Sequence, residues 1–527
     1  MSAPNRYDLS SKQKRFMGLT RENALKGLFG GNAFVSILVL GLITLFLFKE
    51  GAGFFGQYRT SLALYRSAGL EYIEIVRDEQ NSFAALTQYL NKIQADRSRE
   101  LTEQGVPFRE VKKTLSSLDD FAYDFEDAGY ELGDFVYEIT EFATSARDQY
   151  EANEDYKDFK QNLIDQGDVE KANEVIIEEV DLGQIVATLR SREPELAQLN
   201  QSLAAKLTEL LQDVPVLEDP EYQKRLERFK EVTIRFVNEL PTFDERLKKW
   251  DSEKSVSLGT AFTSFVFGKD WVTGGALQDW YGLMPLLTGS LTVAMIAMAI
   301  ATPLGVGAAI YINQVARPKE QAFVKPYIEF ISAIPSVVIG FFGIAIFGEF
   351  VREVSNSDAL NWISFFPLSE RLNAFTAGCL LALMAVPTIF TLAEDSLNNV
   401  PRAYKEASFA MGANRIQTIV RIIVPTALSG MISAVLLGFG RVIGETMVVL
   451  LCAGNRISIP DFSKGVGTVF EPVHTMTGII AQELGEVEYG SIHYRALFMI
   501  GLVLFALSLL INYAAQKIVM KYQISRG

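Results

Sequence analysis

A chain of 527 residues with 63 Asp and Glu against 49 Lys and Arg carries a formal net charge of −14, which argues against nucleic acid as a partner. The average conceals two regions: residues 51–280 hold 26 basic and 45 acidic residues, net −19, and the remainder 23 and 18, net +5. Two cysteines, both in apolar runs (Cys379 and Cys452), and two histidines (His474 and His493) leave no disulfide framework and too few ligands for zinc. Neither a metal nor a cofactor is expected.

The chain opens on a basic tail, 1–31, carrying Arg6, Lys12, Lys14, Arg15, Arg21 and Lys26, followed by an apolar stretch at 32–48. This approach also fits a signal peptide, but no clear small-x-small cleavage site precedes a typical mature start, so an uncleaved membrane anchor is expected. Residues 49–283 form the acidic insertion. Its apolar residues recur at three- and four-residue spacing, most clearly from Glu195 to Leu211 and also near 71–96, 108–122, 136–162 and 221–249, which predicts amphipathic helices. Pro107, Pro215, Pro220 and Pro241 punctuate the insertion, and neither an internal repeat nor a β-hairpin signal is evident. A spacer of paired helices and a sensor or docking module both fit this pattern.

Five further stretches are long and apolar enough to cross a bilayer, near 284–313, 327–350, 373–394, 427–453 and 496–518, making six spans with the first. The basic clusters orient them. With the N-terminal tail inside, the insertion lies outside. Arg317 and Lys319, then Arg402, Lys405, Arg415 and Arg421 in a loop at 395–426, and finally Lys517, Lys521 and Arg526 ending in the tail 521–527, all fall on the inner face. The fold class expected is an all-α membrane protein of six transmembrane helices with a large helical insertion after the first. In the third stretch Pro335 breaks a helix within the apolar run, either lining a pathway or as a packing kink.

The loop reads Glu406-Ala407-Ser408-Phe409-Ala410-Met411-Gly412 and runs on to Ile422-Ile423-Val424-Pro425. It is either an ordinary amphipathic loop helix or a surface offered to a partner. On the second reading Gly412 omits a side chain where a partner backbone approaches, and Pro425 stops the inner helix where the next span begins. In the fifth span Gly440-Arg441-Val442-Ile443-Gly444-Glu445-Thr446-Met447 sets Arg441 and Glu445 four residues apart, expected on one helix face. Each is expensive in hydrocarbon, by roughly 2.5 kcal/mol or more for Arg on insertion scales, so both must face protein or water. Gly440 and Gly444 have the spacing that admits a neighbouring helix. The Arg441 guanidinium offers a donor fork suited to an oxyanion, and Glu445 either neutralises it or accepts from a substrate hydroxyl, which monohydrogen phosphate has and sulfate lacks. A structural ion pair locking two helices is the competing reading, and the two are compatible. No Gly-x-x-x-x-Gly-Lys-Ser/Thr loop is present, so ATP hydrolysis by that route requires another polypeptide. No catalytic constellation stands out.

Together the Ile328-Glu329-Phe330 to Val338 run, the 406–425 segment and Gly440 to Met447 resemble the PstC-type permease subunit of the bacterial phosphate ABC importer, over roughly 284–520. The loop is similar to that family's "EAA" coupling loop, with Ser408 for the second Ala and Val424 for the usual Leu. The resemblance implies a non-enzymatic inner-membrane permease with both termini cytoplasmic, forming half of a phosphate pathway in the lipid bilayer. Its implied partners are a PstA-like permease, a PstB-like ATPase dimer and a periplasmic phosphate-binding protein. It implies substrate translocation by Arg441, Glu445 and Thr446, and ATPase coupling through Glu406, Ala407, Gly412 and Pro425, with 400–424 acting as a lever. A sulfate or molybdate permease and a phosphate-responsive signalling protein are the alternatives. No role transfers to the insertion. Its acidity repels phosphate, which leaves contact with a binding protein or a spacer.

Overall fold

The computed structural model describes residues 21–177, 179–360, 362–363 and 365–522. Residues 1–20 of the tail expected at 1–31 and 523–527 of the tail expected at 521–527 lie outside them. The described chain is almost entirely helical. One two-residue antiparallel ladder, Trp271–Val272 with Trp280–Tyr281, forms a hairpin that sequence patterning missed because so short a pairing has no detectable alternation. The chain divides into two compact units, one made of residues 58–261 with 274–279 and the other of the remainder.

The first unit is a bundle around the Leu70–Glu103 helix. Ile73, Val76, Phe83, Leu86, Leu90 and Ile93 recur on its buried stripe. Phe108–Ala128, Tyr130–Asp165, Glu193–Leu210 and Pro220–Lys249 supply the opposing faces. At the centre the Phe83 and Phe125 rings stack at 5.2 Å and Phe229 meets Phe125 edge-on at 5.0 Å. Burial of such rings contributes about 1.5–3 kcal/mol each, and the geometry adds roughly 0.5–1.5 kcal/mol per pair. The prolines act unequally. Pro107 precedes one helix and Pro220 opens another, whereas Pro241 lies inside Pro220–Lys249 instead of ending it. There the buried run Phe236, Leu240, Phe243 and Leu247 crosses the proline, and packing outweighs the lost backbone bond.

The second unit contains five long apolar helices and one bent pair. The apolar part of the first, expected at 32–48, sits within a longer helix, Arg21–Ala52. Met284–Ile310 and Ala374–Asn398 pack most intimately, through Ala294, Ala297 and Ala301 on one and Ala377, Gly378 and Ala385 on the other, all buried or inaccessible to a larger side chain. Small residues allow this close approach where no hydrophobic force separates helix from lipid. Two expected spans are interrupted. The stretch at 327–350 breaks at Pro335, as expected, into Pro318–Ser332 and Ser336–Ser355, bent by 90°. Pro335 sits ahead of the second helix with φ −59° and ψ 138°, outside helical geometry, and its ring also disfavours helix at the residue before it. The stretch at 427–453 ends as a helix at Ile443 and restarts at Met447–Cys452.

One buried group in the first unit opposes its own packing. Glu79 is 0% exposed and neither carboxyl oxygen makes a hydrogen bond. Burial raises its pKa to about 8, against the opposing pull of the neighbouring Asn200 amide and with a smaller rise from Asp244. An unfolded carboxyl titrates near roughly 4.3, so the folded state holds this proton more tightly and stability is greatest below that pH. It then falls, by at most about 1.4 kcal/mol per pH unit, until pH reaches the folded value. Glu79→Gln is therefore expected to raise the melting temperature of the purified protein at pH 8 and to leave it nearly unchanged at pH 4.5. A variant less stable than wild type at pH 8 would show that the carboxyl is not the destabilising group.

Candidate functional site

Two places in the second unit gather the residues singled out above. The first is the loop between Ala374–Asn398 and Val424–Ile443. Arg402–Ala410 ends in a left-handed turn at Gly412, φ +82°. The Gly412 N–H donates to the Phe409 carbonyl at 2.9 Å and the Ala413 N–H to the Ser408 carbonyl at 3.2 Å, which closes the helix C-terminus. Gly412 thus serves backbone conformation, since a Cβ there would meet nothing within 4 Å in this chain. Pro425 differs from expectation. It does not stop a helix, because Arg415–Ile443 runs through it as one apolar element. The preceding turn, Ile419–Ile423, widens so that the Val424 N–H bonds to Ile419, five residues back, which relaxes the ladder where Pro425 has no N–H to give.

The loop is braced internally and to its own unit. Ser408 Oγ and Thr418 Oγ1 lie 2.9 Å apart, and an Arg415 guanidinium nitrogen donates to the Gln314 carbonyl at 2.6 Å. Glu406, Ala407, Gly412 and Pro425 are all exposed. Around them Met411 is 88% and Ile416 72% exposed, and a cleft of about 580 Å³ is lined by Tyr404, Ala407, Ser408, Met411, Arg421 and Pro425 among others. The loop thus displays apolar side chains beside basic ones on its exposed face.

The second place is the break after Ile443. Arg441 remains on the helix but Glu445 does not, so the two do not share a helix face, and no ion pair joins them. Arg441 Nη1 instead donates to Thr388 Oγ1 at 2.7 Å, the one hydrogen bond its guanidinium makes among the described residues. Thr388 lies 14 residues from Ala374 and 10 from Asn398, so the contact sits at depth within an apolar helix. Arg441 is exposed on the chain's own surface, with most of its donor fork free.

Glu445 Oε1 accepts the Met447 N–H at 3.2 Å, which satisfies the first free N–H of the short helix that follows. The Glu445 carbonyl accepts the Thr477 hydroxyl at 2.8 Å, and the Met476 N–H donates to Ser290 Oγ at 2.9 Å, so the Met476–Glu483 helix is docked onto the break. Thr446 lines a cleft of about 640 Å³ with Gly444, Thr477, Ile480, Ala481 and others. The structure thus brings Glu445 and Thr446 together on one side of the break and leaves Arg441 on the helix before it. Gly440 and Gly444 do not seat a neighbouring backbone. Gly440 has only an Ile511 methyl within reach, at 3.9 Å, while in the same helix Gly438 is closed by Ile389 and Gly430 by Ser396. Sequence reasoning missed Thr388 and Thr477, and a lone Thr in an apolar run has no pattern that marks it.

A family model described as "Binding-protein-dependent transport system inner membrane component" matches residues 301–521, and residues 58–261 lie outside the match. The probable ABC transporter permease protein YqgH of Bacillus subtilis is 33% identical over 242 residues, covering 45% of this chain and 72% of that protein. The phosphate transport system permease protein PstC of Pasteurella multocida is 28% identical over 286 residues, covering 53% and 84%. A solved structure of the MetNI methionine ABC transporter in an inward-facing conformation aligns over 46% of this chain and 94% of its own at 20% identity, with a TM-score of 0.33.

The turn at Gly412 is directly testable. Gly412→Val forces a branched side chain into left-handed geometry at a cost of about 1–2 kcal/mol. Amide hydrogen exchange across 402–418 is expected to quicken by roughly tenfold, with Gly412→Asn showing a smaller effect because Asn tolerates this region. Unchanged exchange in the valine variant would show that the turn does not hold the loop.

Proposed function

This chain belongs to the family of binding-protein-dependent transport system inner membrane components, and on that premise we propose that it is the permease subunit of an ATP-driven phosphate importer. It forms half of the transmembrane pathway with a PstA-like second permease, is driven by a PstB-like ATPase dimer and receives phosphate from a periplasmic binding protein. The N- and C-termini lie in the cytoplasm, where the 402–425 loop meets the ATPase.

Arg441 is the observation that carries this reading. A guanidinium on the outer surface of an apolar span is costly against lipid, so that face is covered by a second permease chain or by a water-filled pathway. Thr388 holds one side of the guanidinium and leaves planar donors free, in the arrangement that binds an oxyanion. Glu445 does not neutralise Arg441, and its carboxylate rests on the Met447 N–H a short way along the chain. Movement of that carboxylate away from this N–H gives an acceptor for the hydroxyl of monohydrogen phosphate. Thr446 and Thr477 add neutral hydroxyls beside the break.

The coupling mechanism follows from the bracing. The ATPase grips the cleft between Arg402–Ala410 and the start of the next span. Ser408–Thr418 makes the two parts of the loop move as one, and Arg415 transmits that movement to the inner end of the Met284–Val315 span at Gln314. The break at 444–446 is the point at which the span yields, because the backbone there has already left the helical ladder.

Arg441→Gln is expected to reduce ATP-dependent phosphate uptake in membrane vesicles by at least roughly tenfold, since it removes a charge-assisted donor pair. Arg441→Lys keeps the charge without the fork and is expected to be intermediate. Uptake unaffected by Arg441→Gln at normal subunit levels would overturn the site. Labelled phosphate uptake that is competed equally by sulfate would reassign the cargo to a broader oxyanion class.

A further inference from the structure

The first unit carries a sequence repeat that its composition conceals. From Asp120 the chain reads Asp-Phe-Ala-Tyr-Asp-Phe-Glu, Asp-Ala-Gly-Tyr-Glu-Leu-Gly and Asp-Phe-Val-Tyr-Glu-Ile-Thr, three successive heptads with Tyr123, Tyr130 and Tyr137 in the same place. They fall on two helices, Phe108–Ala128 and Tyr130–Asp165, joined through Gly129, whose φ −91° and ψ −1° keep it close to helical geometry. Seven residues are nearly two helical turns, so like positions fall on one stripe about 10.5 Å apart.

The two halves of each heptad behave differently. Phe121, Phe125, Leu132, Phe135, Val136 and Ile139 are buried and build the bundle core. The tyrosines face away from it, at 72%, 66% and 68% exposure. Core packing accounts for the first half and gives no reason for the second, since an exposed tyrosine adds little to a helix that any polar residue continues.

Acidic residues flank the tyrosines on both sides. Asp120, Asp127, Asp134 and Glu141 lie three residues before or four after a tyrosine, and Asp124, Glu131 and Glu138 directly follow one. Glu131 and Glu138 pair with Lys206 at 3.7 Å and Arg192 at 3.0 Å. Among the described residues the other five have no ion-pair partner. The acidic flank continues into a cleft of about 430 Å³ where Asp120, Asp124, Asp127, Glu209 and Asp213 outnumber the single cation, Lys206.

We propose that the Tyr123–Tyr130–Tyr137 ridge is a docking surface for a basic, arginine-bearing face of the transporter's extracytoplasmic binding protein. The chemistry selects that partner. Tyrosine faces attract guanidinium and ammonium groups, the unpaired carboxylates between them complete the pairing, and tyrosine is favoured at protein interfaces because it offers contact area at small entropic cost. An anionic lipid surface is repelled, and the same ridge of a second copy would set carboxylates against carboxylates. The placement of this unit outside the membrane rests on the orientation proposed above, and the cargo does not enter the inference.

The test measures binding of the purified binding protein encoded with this transporter to the full chain, assembled with its transporter partners in nanodiscs. The triple variant Tyr123→Ser, Tyr130→Ser, Tyr137→Ser is expected to weaken binding at least tenfold while its melting temperature stays unchanged. A second variant, Asp120→Asn, Asp127→Asn, Asp134→Asn, retains the rings and is expected to weaken binding and flatten its salt dependence. Arg441→Gln is expected to lose uptake yet bind as wild type, so failure of the proposed cargo site and failure of the ridge give different patterns. Unchanged affinity in both ridge variants overturns the proposal. So does a ridge-dependent interaction with anionic vesicles or with a second copy in place of the binding protein.

Discussion

A guanidinium inside an apolar span is the constraint around which the membrane unit is arranged. Hydrocarbon does not solvate Arg441, and among the described residues its own chain supplies only the Thr388 hydroxyl. On the function proposed above, the remaining donors are met by cargo, water or a second permease chain, and the surface bearing Arg441 is a lining or an interface. The small-residue contact between Met284–Ile310 and Ala374–Asn398 keeps Thr388 in place, because two helices packed through Ala and Gly leave little freedom to slide.

Helical discontinuities recur in this unit. The bend at Pro335, the wide turn ahead of Pro425 and the break at 444–446 each interrupt the regular ladder. At the break the Glu445 side chain and the Thr477 hydroxyl satisfy backbone groups that hydrocarbon would leave stranded. The loop at 402–418 shows a related economy, with one left-handed glycine and two hydroxyls setting a rigid shape while its apolar side chains stay outward.

The acidic unit follows water-soluble rules. Aromatic packing between Phe83, Phe125 and Phe229 holds its centre, and Glu79 marks a point where burial opposes ionisation. Its outer face is less economical than stability requires. Three repeated tyrosines amid unpaired carboxylates are explained by recognition more readily than by folding.

Local chemistry made much of this legible from sequence. Long apolar stretches have one stable form in hydrocarbon, so the helices at 284–313, 373–394 and 496–518 were readable within a few residues. The loop glycine and the Gly440–Met447 run stood out because their residue types are costly or unusual where they occur. The tyrosine heptads were equally present, yet half of each repeat reads as ordinary core periodicity. Tertiary structure alone decided that Arg441 meets Thr388 instead of Glu445, that the fifth span breaks before Glu445, and that Pro241 is tolerated inside its helix. Sequence spacing assumes a continuous helix, whereas those outcomes depend on which neighbouring side chains stand ready to satisfy or outweigh an interrupted backbone.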